Sequence, residues 1–290
     1  PADGASKIQF AHVVQIHAGR YPHATPLFIC AGMFGNILNL RHLAIQIGQD
    51  RPVYGLQARG LYGGQAPHET FEEMAASYLE EVRVVQPRGP YLLSGFSGGG
   101  LVAYKMAQQL IAAGETVDMV VMLDTPFPEG LELSRLDRLY IRYQEFRQQG
   151  GAFFHRWLYD RISFELKRRQ KERTDESGSE QFHNNEVEAA FLRALARYQA
   201  EPYGGSTLLL RPKLRTAFHL RDGRPLNSDR RVVKSDNGWS PYLPALSVKE
   251  VPGDHDNMIL EPNVRVLGTY MREALRTAGQ MPVPEALAAE

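Results

Sequence analysis

The chain has 290 residues, 43% hydrophobic and 23% charged, and its 33 basic and 33 acidic side chains cancel. That length holds a full core, as one large domain or one with a substantial insertion, and balanced charge argues against nucleic-acid binding, which needs a basic excess. A single cysteine, Cys30, excludes an internal disulfide framework or a multi-cysteine metal site, and with neither an apolar run of membrane-spanning length nor a signal peptide the expectation is a cytoplasmic protein, cut from a longer chain because it opens on Pro1.

In chain order, residues 1–25 read as a polar linker with a first short strand over Ala11–Ile16. Pro26–Ala31 is a continuous apolar run of the kind buried on both faces of a parallel sheet. After the loop Gly32-Met33-Phe34-Gly35-Asn36, the spacing of Leu38, Leu40, Leu43, Ala44 and Ile47 predicts a helix over Ile37–Ile47. Pro52–Gln57 is a second strand. Phe71–Val85 is strongly periodic, and Thr70 with Glu73 three residues on forms a capping-box pattern. Tyr91–Phe96 reads as a strand, followed by a helix that ends near Gly114, and Val117–Asp124 as the next strand. Alternating strands and helices imply βαβ units and a mostly parallel sheet. The alternation stops after Pro126. From Leu131 to Ala200 the pattern is helical with a polar break, which sets an inserted lid at about 129–205. Strands are expected again at Leu214–Leu220 and Leu246–Val251, then a closing helix over Pro262–Arg276 and a frayed Ala/Pro-rich tail over 279–290.

The chain is organised around Gly95-Phe96-Ser97-Gly98-Gly99-Gly100. Gly-x-Ser-x-Gly also occurs in ordinary loops. A strand before it and a helix after it supply the context of a nucleophile elbow, where a serine sits on a sharp turn and small neighbours let the backbone pass. Ser97 is then the nucleophile, and the N–H of Gly98 at the helix start faces any oxyanion formed there. A second N–H should come from the loop after the first buried strand. Met33 is the expected donor, with Ala31 and Phe34 as alternatives.

An activated serine needs a base, and the base a third group to orient it. Of nine histidines, His42 lies in a helix, His155 and His183 in the insertion and His219 in a strand. His12, His17, His23 and His68 belong to the early chain. His255 alone directly follows a late strand, in Gly253-Asp254-His255-Asp256-Asn257-Met258, which gives the Ser, Asp, His order of an α/β-hydrolase. For the acid, Asp124 closes the strand after the elbow unit and Asp222 follows the strand expected at Leu214–Leu220. Position alone does not separate them.

The elbow, Asp124-Thr125-Pro126 and Gly253-Asp254-His255-Asp256-Asn257-Met258 together resemble the type I thioesterase domains that end polyketide synthases and nonribosomal peptide synthetases. The resemblance runs from about Pro26 to Leu275 and takes in Gln57-Ala58-Arg59-Gly60 and Gly238-Trp239. It implies an α/β-hydrolase domain over 26–278 with a helical lid after the strand bearing the acid, and it implies Asp124 rather than Asp222. The oxyanion loop departs from the family pattern at Ala31-Gly32-Met33-Phe34.

What the resemblance implies for chemistry is release of an acyl chain from the phosphopantetheine arm of an acyl or peptidyl carrier domain through an acyl-serine, with no cofactor or metal of its own. Rival readings are a stand-alone type II thioesterase, a carboxylesterase or lipase, and a binding module with a dead site. Within Leu131–Thr174 eleven basic residues stand against six acidic ones. This excess reads either as a solvated helical face or as a docking surface for an acidic carrier, with Arg168, Arg169 and Lys171 the residues expected to meet it.

Overall fold

A computed structural model of the protein describes residues 10–128, 133–150, 185–228 and 230–278. Its strands are β1 Val13–His17, β2 Leu27–Cys30, β3 Val53–Leu56, β4 Tyr91–Phe96, β5 Val117–Leu123, β6 Thr207–Pro212, β7 Phe218–His219, β8 Pro225–Leu226 and β9 Leu246–Val251. The helices are α1 Arg41–Ile47, α2 Phe71–Val85, α3 Gly99–Ala112, α4 Arg135–Gln149, α5 Asn185–Arg197 and α6 Val264–Ala278, with a 3₁₀ turn Leu38–Leu40 leading into α1.

Seven strands form one sheet in the order β1-β3-β2-β4-β5-β6-β9. Only β1 runs antiparallel to its neighbour. This is an α/β architecture with a mostly parallel sheet, as expected. All four residues of β2 and all six of β4 are buried, because both faces of the sheet are covered. Side chains alternate across a strand. Phe28, Cys30, Tyr91 and Leu93 therefore join the core under α2 and α3, while Leu27, Ile29 and Leu92 join the one under α1 and α6. Cys30 is fully committed to this packing, and burial pushes its thiol up, away from the nucleophilic thiolate.

The cap of α2 differs slightly from the expected box. Thr70 Oγ1 accepts from the Glu73 N–H at 3.2 Å, but the Glu73 carboxylate takes the N–H of Glu69 rather than that of Thr70.

Strand β6 corrects the sequence reading. It is Thr207–Pro212, with every residue buried, and it pairs with β5 and β9. The expected strand Leu214–Leu220 reduces to Phe218–His219, which pairs only with Pro225–Leu226 in a separate two-stranded sheet. With Leu214, Phe218 and Leu220 at even spacing on one face of an extended segment, 214–220 mimics a half-buried strand. The true strand is a short continuous apolar run, Leu208-Leu209-Leu210, which periodicity alone does not assign.

The described residues fall into two units. One comprises 10–128, 185–213 and 236–278, and carries the seven-stranded sheet. The other comprises 133–150, 214–228 and 230–235, where Ile141 of α4 packs with Leu220 and Leu226. Helix α5 thus belongs with the sheet, whereas the sequence reading has one insertion over 129–205. Arg168, Arg169 and Lys171, and the tail 279–290, lie outside the described residues. Among the described residues no helix is long and apolar enough to cross a membrane.

Two buried histidines cost this core stability in acid. His68 is 2% exposed, and among the described residues neither ring nitrogen has a hydrogen-bond partner. Burial, with Arg59 and His12 beside it, pushes His68 down to about 4. Burial also lowers His12, against the opposing pull of Glu81. In the unfolded chain both take up a proton near the ordinary value of about 6.5. Stability is therefore full above that value and is lost as pH falls from it toward 4. His68→Leu is expected to lose less melting temperature between pH 7 and pH 5 than the wild type; equal losses would rule this account out.

Candidate active site

Ser97 sits immediately after the central strand β4, at the turn into α3. Its φ is +52°, a left-handed conformation that costs a non-glycine residue on the order of 1–3 kcal/mol. The surroundings hold it there. Its N–H donates to Leu123 O at 2.8 Å and its carbonyl accepts from Gly100 N at 3.1 Å. Glycines make the turn possible: a Cβ on Gly95 would lie 2.1 Å from Gly99 O, and one on Gly99 would lie 2.3 Å from Ala31 O. A Cβ on Gly100 would meet Thr125 Oγ1 at 1.9 Å. Each of these is a backbone or side-chain approach that only glycine permits.

The three side chains expected to act together are in hydrogen-bond reach of one another. His255 Nε2 lies 3.0 Å from Ser97 Oγ, and His255 Nδ1 lies 2.7 Å from Asp124 Oδ2. A carboxylate can only accept, so Nδ1 carries the proton and Nε2 presents its lone pair to the serine hydroxyl. The imidazole stacks on Phe96, with ring centroids 5.3 Å apart and planes inclined by 25°. The variable position of the Gly-x-Ser-x-Gly motif thus supplies a flat wall for the histidine, a contact that no spacing rule reveals.

Asp124 follows β5, next to β4 in the sheet, and is 8% exposed. It too has a positive φ, +44°, and its N–H donates to Leu210 O at 2.8 Å. Asp222 lies instead in the β7–β8 turn, where its carboxylate pairs with Arg224 at 2.7 Å. The backbone N–H of Arg224, together with its guanidinium, holds the Asp222 carboxyl below the usual range.

Gly98 caps α3 at its N-terminus, where unpaired N–H groups and the helix dipole favour negative charge. Phe191 of α5 covers it so closely that a Cβ on Gly98 would lie 2.2 Å from the ring. On the other side, the loop after β2 runs beside the serine, since a Cβ on Gly32 would lie 3.8 Å from Ser97 Cβ. The N–H of Ala31 is already given to Leu56 O at 2.9 Å, which removes it from the candidate donors. Met33, the next residue but one, packs half-buried against the main core.

The sequence reading passes over Asn237. Its amide nitrogen lies 3.0 Å from Asp124 Oδ1 and 3.4 Å from Thr125 O. Asp236-Asn237-Gly238 is recognisable as turn composition, but nothing in the sequence tells which side chain the turn aims at a residue 113 positions earlier.

Comparisons with known proteins bear on the family and the fold. A family model described as "Thioesterase domain" matches residues 25–271. Indigoidine synthase of Dickeya dadantii is 42% identical over 104 residues, 36% of this chain and 7% of that protein. Malpinin synthetase of Mortierella alpina is 29% identical over 259 residues, 87% of this chain and 3% of the synthetase. The chain therefore spans only a small part of either relative. Among solved structures, the NocB thioesterase domain in covalent complex with a fluorophosphonate nocardicin G analog is 25% identical, with a TM-score of 0.61. The match covers 91% of this chain and 99% of that one. With a serine elbow at the tip of a mostly parallel sheet and a family match over nearly its whole length, the chain belongs to the thioesterase domain family.

Proposed function

We propose that this thioesterase domain releases a polyketide or peptide chain from the phosphopantetheine arm of a carrier domain, through an ester on Ser97. The observation that carries the reading is the continuous hydrogen-bond path from Ser97 Oγ through His255 to Asp124. His255 Nε2 takes the hydroxyl proton as Ser97 Oγ attacks the thioester carbonyl. The tetrahedral oxyanion is held by the N–H of Gly98 and, as the second donor, that of Met33. Collapse expels the phosphopantetheine sulfur, which takes the proton back from His255, and leaves the acyl-serine. A water, or a hydroxyl or amine of the chain itself, then attacks with His255 again as base, restoring Ser97.

The large synthases among the relatives, of which this chain matches only a few per cent, support a carrier domain in the same polypeptide as the partner. The inserted segment between β5 and α5 is proposed as the lid that admits the chain and governs access of water.

The test compares kcat/KM for one hexanoyl chain presented in two ways, as a phosphopantetheine thioester on a carrier domain and as its p-nitrophenyl ester. The carrier-bound thioester is expected to be the better substrate. A preference for the free ester would favour a carboxylesterase.

A further inference from the structure

We infer that Asn237 is the positioning residue for the acid of the site: its side-chain amide holds Asp124 so that the carboxylate meets His255 in one orientation. The inference rests on the Ser97–His255–Asp124 reading above. The two oxygens of Asp124 have separate partners. Oδ2 accepts from His255 Nδ1 at 2.7 Å, and Oδ1 accepts from Asn237 Nδ2 at 3.0 Å. Both groups facing the Asn237 amide, Asp124 Oδ1 and Thr125 O, are acceptors, so the nitrogen and not the oxygen points at them.

The surrounding turn is built to hold that amide. Asn237 sits at φ +52°, a conformation that asparagine, aspartate and glycine tolerate best. Asp236 pins the turn by accepting from the N–H groups of Gly238 and Ser240, each at 2.9 Å. The turn is tied to the segment that carries the acid by two further bonds: Phe127 N donates to Asn237 O at 2.9 Å, and Trp239 Nε1 donates to Thr125 O at 2.9 Å. Trp239 is fully buried between Tyr104 and Phe127. Asp124 is largely buried as well. Without the amide, Oδ1 would have lost its protein donor, and the carboxylate would be free to rotate away from His255.

Two variants keep the backbone conformation and remove the donor. Asn237→Gly deletes the amide. Asn237→Asp keeps its shape but sets a carboxylate against Asp124. With hexanoyl-N-acetylcysteamine as the thioester, kcat is expected to fall on the order of 10- to 100-fold in Asn237→Gly, the range for losing one hydrogen bond to a charged group. Asn237→Asp should fall further, and KM should hardly move in either. The far-downfield proton resonance of His255 Nδ1–H should broaden or vanish in both. In an Asp124→Asn background, Asn237→Gly should cost nothing more, because the residue acts only through the acid.

Wild-type kcat with the resonance intact in both variants would overturn the inference and leave Asn237 as a residue chosen for its φ. Independent, multiplying losses in the double variant would overturn it too. A wild-type rate in Asp124→Asn alone would instead remove the underlying assignment of the acid. Should Asn237→Asp fail to fold, Asn237→Gly with a wild-type melting temperature carries the test.

Discussion

Ser97→Ala is expected to abolish release of the acyl chain while leaving the melting temperature close to that of the wild type. In a serine protease, removal of the triad serine costs about 10⁶-fold in kcat, and the same scale is expected here because no other nucleophile among the described residues is poised to take over. Cys30 is the sole cysteine and is buried in the core with its thiol raised. Stability should survive because the turn is held by its backbone bonds and by the close approaches at Gly95, Gly99 and Gly100 rather than by the serine hydroxyl. Alanine keeps the positive φ of the position no better than serine does, so the strain is unchanged. The measurement is steady-state release from the hexanoyl thioester alongside thermal unfolding. Residual turnover within 100-fold of the wild type in a fully folded variant would contradict the assignment; a protease lacking its triad keeps only about 10³–10⁴-fold over water.

Asp124→Asn is the second large effect, and the neighbours of the residue say why it cannot be accommodated. If the new amide turns its oxygen to His255, its NH₂ faces the NH₂ of Asn237, 3.0 Å from the atom it replaces. If it turns its NH₂ to His255, Nδ1 must become the acceptor. The proton then moves to Nε2, which lies 3.0 Å from Ser97 Oγ and can no longer accept from it. The first arrangement sets donor against donor and is disfavoured; the second disables the base, and a loss on the order of 10⁴-fold in kcat is expected, as for the equivalent change in a protease triad. Asp222→Asn should stay near the wild-type rate, since Asp222 is engaged with Arg224 in the β7–β8 turn. Kinetics of the two variants on one thioester check the ranking, and the reverse order would move the acid to Asp222.

The elements that position Ser97 and His255 were legible because each is local. The strand Tyr91–Phe96, the glycines around Ser97 and the helix after them lie within one short stretch. His255 follows β9, whose bounds Leu246–Val251 agree with the sequence reading. Asp124 against Asp222 was not decidable from position, because the decision depends on which strand precedes each. The run Leu208-Leu209-Leu210 stays unassigned between the insertion ending at about 205 and the strand expected at Leu214–Leu220, so Asp222 follows an expected strand that the sheet does not contain. Asn237 and Phe191 were invisible for a different reason. Their partners, Asp124 and Gly98, lie 113 and 93 residues earlier, and contacts at that range are set by the packing of the sheet and helices rather than by local pattern. The branch of α5 with the sheet was hidden likewise, since its amphipathic spacing says that it buries a face but not against which element.

The most direct measurement is of the covalent intermediate itself. Hexanoyl thioester on a carrier domain is mixed with the enzyme, quenched within the first turnover and digested, and the peptides are mapped by mass spectrometry. The account predicts one hexanoyl group, on the tryptic peptide Gly89–Lys105 and at Ser97 within it, with none on the Ser97→Ala protein. A hexanoyl group attached to any other side chain of the wild type would contradict it.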